Sequence, residues 1–299
     1  MAAATQSFTV KQLRFTFTLA NSALFAGTNS NVLQVTGLRA SVKIKASGLP
    51  AFPEADITVY GLKESDMISL TCMAFETLGM QRNSVTVEAN SGYGWSTVFV
   101  GQIITGGPNY DQIPAACLKV CARVLGYESL GPANPTSYTG ATSVASIMQS
   151  LAARMGYAFE NNGVASSLNN PYFAGTLAEQ LRSVAAHAGI DVYIEGNVIA
   201  ICPKGAPRNQ SPFVLTPQSG LVGYPQFDYQ RGFVRVTSLY SAAFRFGGPL
   251  TLAGSELTPA NGKYVIGTLC HTLESLMLDG GDWFSDLLLY PPNSIPPIQ

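Results

Sequence analysis

The chain has 299 residues, of which 46% are hydrophobic and 12% charged, and its formal net charge is −1. The charged fraction is about half of the ~25% usual for soluble domains, and no run of Lys and Arg forms the basic groove that nucleic-acid phosphates require. The length predicts two or three domains. The thin charge layer with 10% aromatics predicts surface buried against other chains, unless Ser, Thr, Asn and Gln supply the hydrophilic surface.

Taken in chain order, the start (MAAATQSFTVKQLRF) lacks the basic and apolar regions of a signal peptide. No 18-residue apolar window follows, so no membrane insertion by this chain is expected. Apolar alternation predicts strands at residues 14–19, 38–46 (Ala40, Val42 and Ile44 against Ser41, Lys43 and Lys45), 55–60, 84–89 and 95–105. A short helix with Ser65 as N-cap is expected at 65–70. Together these read as a β-barrel or split sheet. Residues 116–127 fit a helix or a strand; strict alternation of Leu118, Val120, Ala122 and Val124 favours the strand. Cys117 and Cys121 would then lie roughly 13 Å apart, too far for a disulfide or a shared metal.

Gly131-Pro132 and Asn134-Pro135 break the pattern, and a helical period replaces it. Residues 142–155 predict a helix capped by Thr142 or Ser143 and stopped by Gly156. Residues 176–188 predict another, with Thr176 and Glu179 in capping-box spacing and Gly189 beyond its end. Strands at 191–195 and 198–202 should pair across Gly196-Asn197, and 203–217 reads as a linker. A second β unit follows: a strand from Phe233 with large or β-branched residues on both faces, predicted to be buried at least partly on both sides, then strands at 250–253, 263–278 and 283–290. The last two meet at a turn made by Asp279, Gly280, Gly281 and Asp282. The proline-rich tail at 291–297 is expected to be an extended arm or a frayed end. The predicted fold is mainly β with an α+β insert: an N-terminal β-barrel domain (1–130), an α/β insert domain (131–206) and a C-terminal β-barrel domain with an extended tail (207–299).

Chemistry-bearing patterns are few. Only His187 and His271 could serve as a catalytic base. Their settings, a helix end and a long strand, suit capping and structural roles better, and no nucleophile elbow accompanies them. Two histidines without CxxC or HExxH give no metal site. A carboxylate pair for glycoside cleavage could be sought among Glu160, read as a loop residue, and Asp279, Asp282 and Asp286, but turn roles explain Asp279 and Asp282. Gly92-Tyr93-Gly94 lacks the third glycine of a dinucleotide loop. The five cysteines (72, 117, 121, 202 and 270), odd in number and scattered, fit reduced thiols in a protein made in a cytoplasm. No catalytic, cofactor-binding or metal-binding residue is therefore assigned.

Several segments in order resemble one family. Tyr60-Gly61-Leu62-Lys63-Glu64-Ser65-Asp66-Met67-Ile68-Ser69-Leu70-Thr71, the unit from Gly175 to Gly205, and Gly220-Leu221-Val222-Gly223-Tyr224-Pro225-Gln226-Phe227 are similar to stretches of tail hub proteins from contractile-tailed bacteriophages. So is the pattern Tyr264-Val265-Ile266, His271, Leu273, Gly280, Trp283-Phe284. The resemblance implies a non-enzymatic baseplate hub in the virion, made in the host bacterial cytoplasm: a homotrimer of paired barrels with pseudo-six-fold symmetry that joins the hexameric tail tube to the trimeric central spike. Its implied partners are the tail tube protein, the spike protein, other baseplate (wedge) proteins and the tape-measure protein, with DNA passing through the lumen. The competing expectations are a tail-associated cell-wall hydrolase and a carbohydrate- or cell-surface-binding module, in which Trp95 and Trp283 would line an open groove rather than pack inside.

Overall fold

The computed structural model describes residues 10–20, 23–72, 83–111, 115–228, 232–278 and 280–294. The chain divides into two compact units. The first is Met1–Lys45, Glu54–Gly126 and Cys270–Phe284; the second is Ala46–Pro53, Tyr127–Leu269 and Ser285–Gln299.

The first unit carries β1 (Gln12–Thr18), β2 (Val32–Thr36), β3 (Ala40–Ser47, its last two residues in the second unit), β4 (Glu54–Tyr60), helix α1 (Glu64–Ser69), β5 (Ser84–Asn90), β6 (Trp95–Asn109) and β7 (Cys117–Arg123). The strands form an antiparallel sheet in the order β3-β4-β7-β6-β5-β1-β2. Alternation decides which face is buried: Leu13, Phe15 and Phe17 of β1 and Ala40, Val42 and Ile44 of β3 point inward, while Lys43 and Lys45 face solvent. Residues 117–123 are a strand, paired on one side with β4 and on the other with β6. Strand β6 runs past the expected end at Thr105 to Asn109, because a register shift between Ile103 and Thr105 lets Gly106, Gly107 and Pro108 stay in its ladder with β7. Helix α1 corrects the expected cap. It begins after Lys63, and Ser65 is an exposed residue inside it, with Glu64 and Asp66 placed to offset the positive helix end.

The second unit begins with the short strands β8 (Thr136–Ser137) and β9 (Ala141–Ser143). Helix α2 (Val144–Met155) follows Ser143, and Gly156 closes it in the left-handed region. Strands β10 (Ala158–Asn161), β11 (Ser167–Asn169) and β12 (Tyr172–Phe173) lead to α3 (Leu177–Ala188), where the Thr176/Glu179 capping box is formed in both directions. Strands β13 (Ile190–Glu195) and β14 (Val198–Pro203) pair as predicted, and β10, unforeseen, adds in parallel to β14.

The remaining strands are β15 (Phe213–Leu215), β16 (Leu221–Asp228), β17 (Phe233–Leu239), β18 (Pro249–Leu252), β19 (Gly262–Ser275, its residues from Cys270 on in the first unit) and β20 (Trp283–Tyr290, its first two residues in the first unit). Strands β16, β17, β20 and β19 are successive neighbours, β18 pairs with β19, and β15 lies parallel to β18. Strand β17 is partly buried on both sides, as expected: Val234, Val236 and Ser238 are buried on one face, while on the other Phe233 is buried, Thr237 and Leu239 are partly covered and Arg235 is exposed. Strand β19 stops at Ser275, not Leu278, since Leu276 adopts a positive φ of 54° that ends the ladder. Asp279, the first residue of the expected turn, and residues 295–297 of the tail lie outside the described residues. Mainly β architecture with an α+β component is thus what the chain adopts.

The core of this unit gathers Tyr193, Phe244, Phe246, Leu250, Leu252 and Leu287, among others. Gly247 sits beneath it at φ 76°, where an added Cβ would drive into the ring of Tyr193. Gly247→Ala combines a left-handed backbone with a clash and is expected to cost about 2 kcal/mol or more, read as a lowered thermal midpoint.

Candidate functional site

The densest ionic arrangement in the second unit forms where the linker after β14 meets the α/β sheet. Arg208 leaves the chain in the Pro-rich segment 203–217, and its side chain is only 3% exposed. Its Nε and Nη2 donate to the carboxylate of Glu160 on β10 (3.3 and 2.7 Å), and Nη1 donates to Glu195 Oε2 at the end of β13 (2.9 Å). Arg245 Nε donates to the same Glu195 oxygen (2.7 Å), and the Phe246 amide donates to its other oxygen (3.3 Å). The Arg208 amide donates to the Gly247 carbonyl. Four segments distant in sequence are therefore tied through one guanidinium. The hydrogen bond from Arg208 holds the Glu160 carboxyl below the usual carboxylate range, against the opposing effect of burial. Beside this clasp, Asn161, Asn162, Pro207 and Asn209 help line an open hollow of about 430 Å³.

A second buried polar group lies nearby in the chain. Tyr193 and Tyr290 share a hydroxyl–hydroxyl hydrogen bond of 2.7 Å, and Asp191 accepts from Lys204 Nζ and the Gly205 amide. Burial raises the pKa of both tyrosines and pushes the Cys202 thiol up to about 12. These groups are held protonated, which suits a packed core rather than an acid–base relay.

Of the residues weighed for chemistry, Asp279 lies outside the described residues and the others have the following settings. Glu160 is not a loop residue; it sits on β10, locked to Arg208. Asp286 accepts from Thr237 Oγ1 at 2.6 Å, and the Asp282 amide donates to Glu274 Oε2 at 3.1 Å. His187 is exposed at the end of α3, bonded to the Ser183 carbonyl one turn back. His271 is buried on β19, and desolvation pushes its pKa down to about 4. The five cysteines form no disulfide with one another. Trp283 is 2% exposed and donates to Ser91 Oγ (3.0 Å); Trp95 is half-buried, with the guanidinium of Arg14 4.3 Å from its ring centre. Trp283 is thus packed inside, and Arg14 covers one face of Trp95. Among the described residues no group of three or more His, Cys, Asp and Glu is placed to hold a metal, and no helix is long and apolar enough to cross a membrane.

Among the described residues, β2 ends the first unit's sheet; in the second unit β16 ends one series, and β15, β10 and β13 each have a strand partner on one side. Just beyond β1 and just before β2, the Leu19 amide donates to the Asn31 carbonyl (2.8 Å). Antiparallel alternation then turns the backbone of Leu33 and Val35 toward β1 and that of Gln34 and Thr36 away. On β16 a register shift between Val222 and Gln226 disrupts the ladder with β17, and Val222 and Tyr224 are 40% and 66% exposed. Sequence reading missed the clasp and these edges. A lone Arg in a proline-rich linker was the one available signal for the clasp.

The family model described as baseplate hub gp41 matches residues 12–277, nearly the whole of this architecture. The chain belongs to the baseplate hub gp41 family. The hub fold also recurs in solved structures. A tail protein from Neisseria meningitidis MC58 is 11% identical, with 93% of this chain and 96% of that one covered at a TM-score of 0.60. The 43 kDa tail protein of prophage MuSo2 from Shewanella oneidensis is 10% identical over 95% and 98% of the two chains, at 0.62. The E. coli c3393 protein, a type VI secretion component with structural similarity to the T4 tail proteins gp27 and gp5, is 11% identical over 93% and 77%, at 0.60. At such identities the likeness is one of fold. No curated protein matches this hub chain by sequence.

Proposed function

We propose that the chain is a structural, non-enzymatic hub of a phage tail baseplate, acting in the virion as a homotrimer. Residues 1–130 and 207–299 supply two tube-forming barrels per copy, with 131–206 as the insert between them. Three copies then give a pseudo-six-fold ring that joins the hexameric tail tube to the trimeric spike, meets the wedge and tape-measure proteins, and leaves a lumen for DNA. Such a closed ring accounts for a chain so poor in surface charge. The observation that carries the reading is the family match from residue 12 to residue 277. The carboxylates and histidines add weight, because Glu160 and Asp286 are already engaged and His271 is buried.

The test is the mass of the purified chain in solution by light scattering. One copy is 31.7 kDa, so a trimer is 3 × 31.7, about 95 kDa. A trimer supports the ring. A chain that stays single at high micromolar concentration, with and without its tail tube protein, overturns it.

A further inference from the structure

The sequence holds two Asn-Gly pairs, Asn162-Gly163 and Asn261-Gly262. Such a pair carries its own reaction, because glycine puts no side chain between its amide nitrogen and the carboxamide before it. The fold treats the two pairs differently. The Asn261 carboxamide is held at both ends, its oxygen accepting from the Ser255 amide (3.0 Å) and its nitrogen donating to the Ser255 carbonyl (3.1 Å). Gly262 opens β19 opposite Leu252. Ile266 bonds Gly247 and Gly248 on that side, so two-residue alternation turns the Gly262 amide into the same ladder. At the other pair the nucleophile is open. Gly163 lies beyond β10 at φ 94°, exposed, with nothing within 4 Å of where a Cβ would stand. Its amide meets no acceptor among the described residues. The Asn161 side chain grips both backbone groups of Val164 (2.8 and 3.1 Å), which pins the loop on either side of Asn162-Gly163. Asn162 Oδ1 accepts from the Asn209 amide at 2.7 Å, whereas its Nδ2 reaches the Ile201 carbonyl only at 3.3 Å.

We infer that Asn162 is a site of spontaneous deamidation, a covalent ageing site that the fold selects over Asn261. The Gly163 nitrogen gives up its proton to solvent and bonds Cγ of Asn162; the Cγ–Nδ2 bond breaks, and Nδ2 takes up a proton and leaves as ammonia. Water then opens the cyclic imide. Cleavage at Cγ leaves aspartate, and cleavage at the main-chain carbonyl leaves isoaspartate, with the chain rerouted through the side chain. One water is consumed and one ammonia released, with no oxidant or cofactor. Three features favour this pair. The short bond from the Asn209 amide strengthens as negative charge gathers on Oδ1 during the attack. The leaving nitrogen is held by a long bond only. The open hollow lined by Asn162 and Gly163 admits water to both atoms. The product places a new carboxylate two residues from Glu160, so the clasp around Arg208 gains a like charge beside its acid.

The test follows the full-length chain during incubation in mildly alkaline buffer, folded and, in parallel, unfolded in urea. Peptide mapping reads aspartate and isoaspartate at positions 162 and 261. In urea both pairs convert at their intrinsic rates. Relative to those, folding should slow Asn261 roughly tenfold more than Asn162, since the Gly262 amide must first give up a ladder bond. Ion exchange of the folded chain should show a species with one added negative charge. Asn162→Gln, whose longer side chain forms the imide far more slowly, should lose that species; mapping of the parent chain decides alone if the variant does not fold. Asn162 left intact in the folded chain while the unfolded chain converts overturns the inference. So does equal slowing of the two sites, or an acidic species that Asn162→Gln forms at the parent's rate.

Discussion

Arg208→Met is expected to lower the free energy of unfolding by about 3 kcal/mol, the low end of the range for breaking a buried ion pair. The guanidinium is almost wholly buried, and its loss strands two carboxylates. Glu160 and Glu195 keep 37% and 24% side-chain exposure, which moderates the cost. Arg245 still reaches Glu195, so Glu160 suffers most. Two controls separate a stranded charge from lost packing. Glu160→Gln alone should cost less than Arg208→Met. The double variant should be more stable than Arg208→Met, because a neutral amide replaces the unpaired carboxylate. The acid side should change too. With the Glu160 carboxyl held below its unfolded range, the pair contributes stability above the ordinary carboxylate pKa and loses it as pH falls through the lower folded value. Removing Arg208 removes that contribution. Guanidinium unfolding midpoints at pH 7 and near pH 3 measure all three effects, and an unchanged midpoint for Arg208→Met at pH 7 would refute the clasp.

The second large effect belongs to His271. Its folded pKa of about 4 lies below its ordinary value of 6.5, because burial disfavours the imidazolium. The unfolded chain therefore binds a proton that the folded chain refuses between those pH values. This contribution is complete above about pH 6.5 and falls as the solution is acidified towards pH 4. Its full size is about 3 kcal/mol, at ~1.36 kcal/mol for each of ~2.5 pKa units. Most of that is gone by pH 4.5. His271→Gln, neutral at every pH, should remove this component of the acid sensitivity although it lowers stability at pH 7. The decisive measurement is the difference in unfolding free energy between pH 7 and pH 4.5, in parent and variant. Equal differences would show that His271 titrates near its ordinary value.

Both effects arise from residues whose roles sequence could not supply, whereas much of the surrounding fold was legible. The six apolar positions of α2 (Val144, Ile147, Met148, Leu151, Ala152 and Met155) are buried as their spacing predicts. Thr176, Glu179, Gly156 and Gly189 act as the caps their types announce. In β3 and β7 strict alternation separated the buried face from Lys43, Lys45, Lys119 and Arg123. These are local patterns, and the forces behind them act within one turn of helix or a few strand residues. Short strands failed the same test. Strand β10 has four residues and exists because β14, some forty positions later, lies parallel to it.

The sequence by itself determined the period of each long element, its caps, the mainly β class and the scarcity of charge, because each depends on neighbouring side chains and on composition. The tertiary structure alone decided that Arg208 would be buried between Glu160 and Glu195, that His271 would lie in a dry interior, and that β2 and β16 would be left as edges. Burial and strand pairing bring together residues far apart along the chain. The free energy of a charge or an open backbone edge depends on what is brought beside it, which no local pattern encodes.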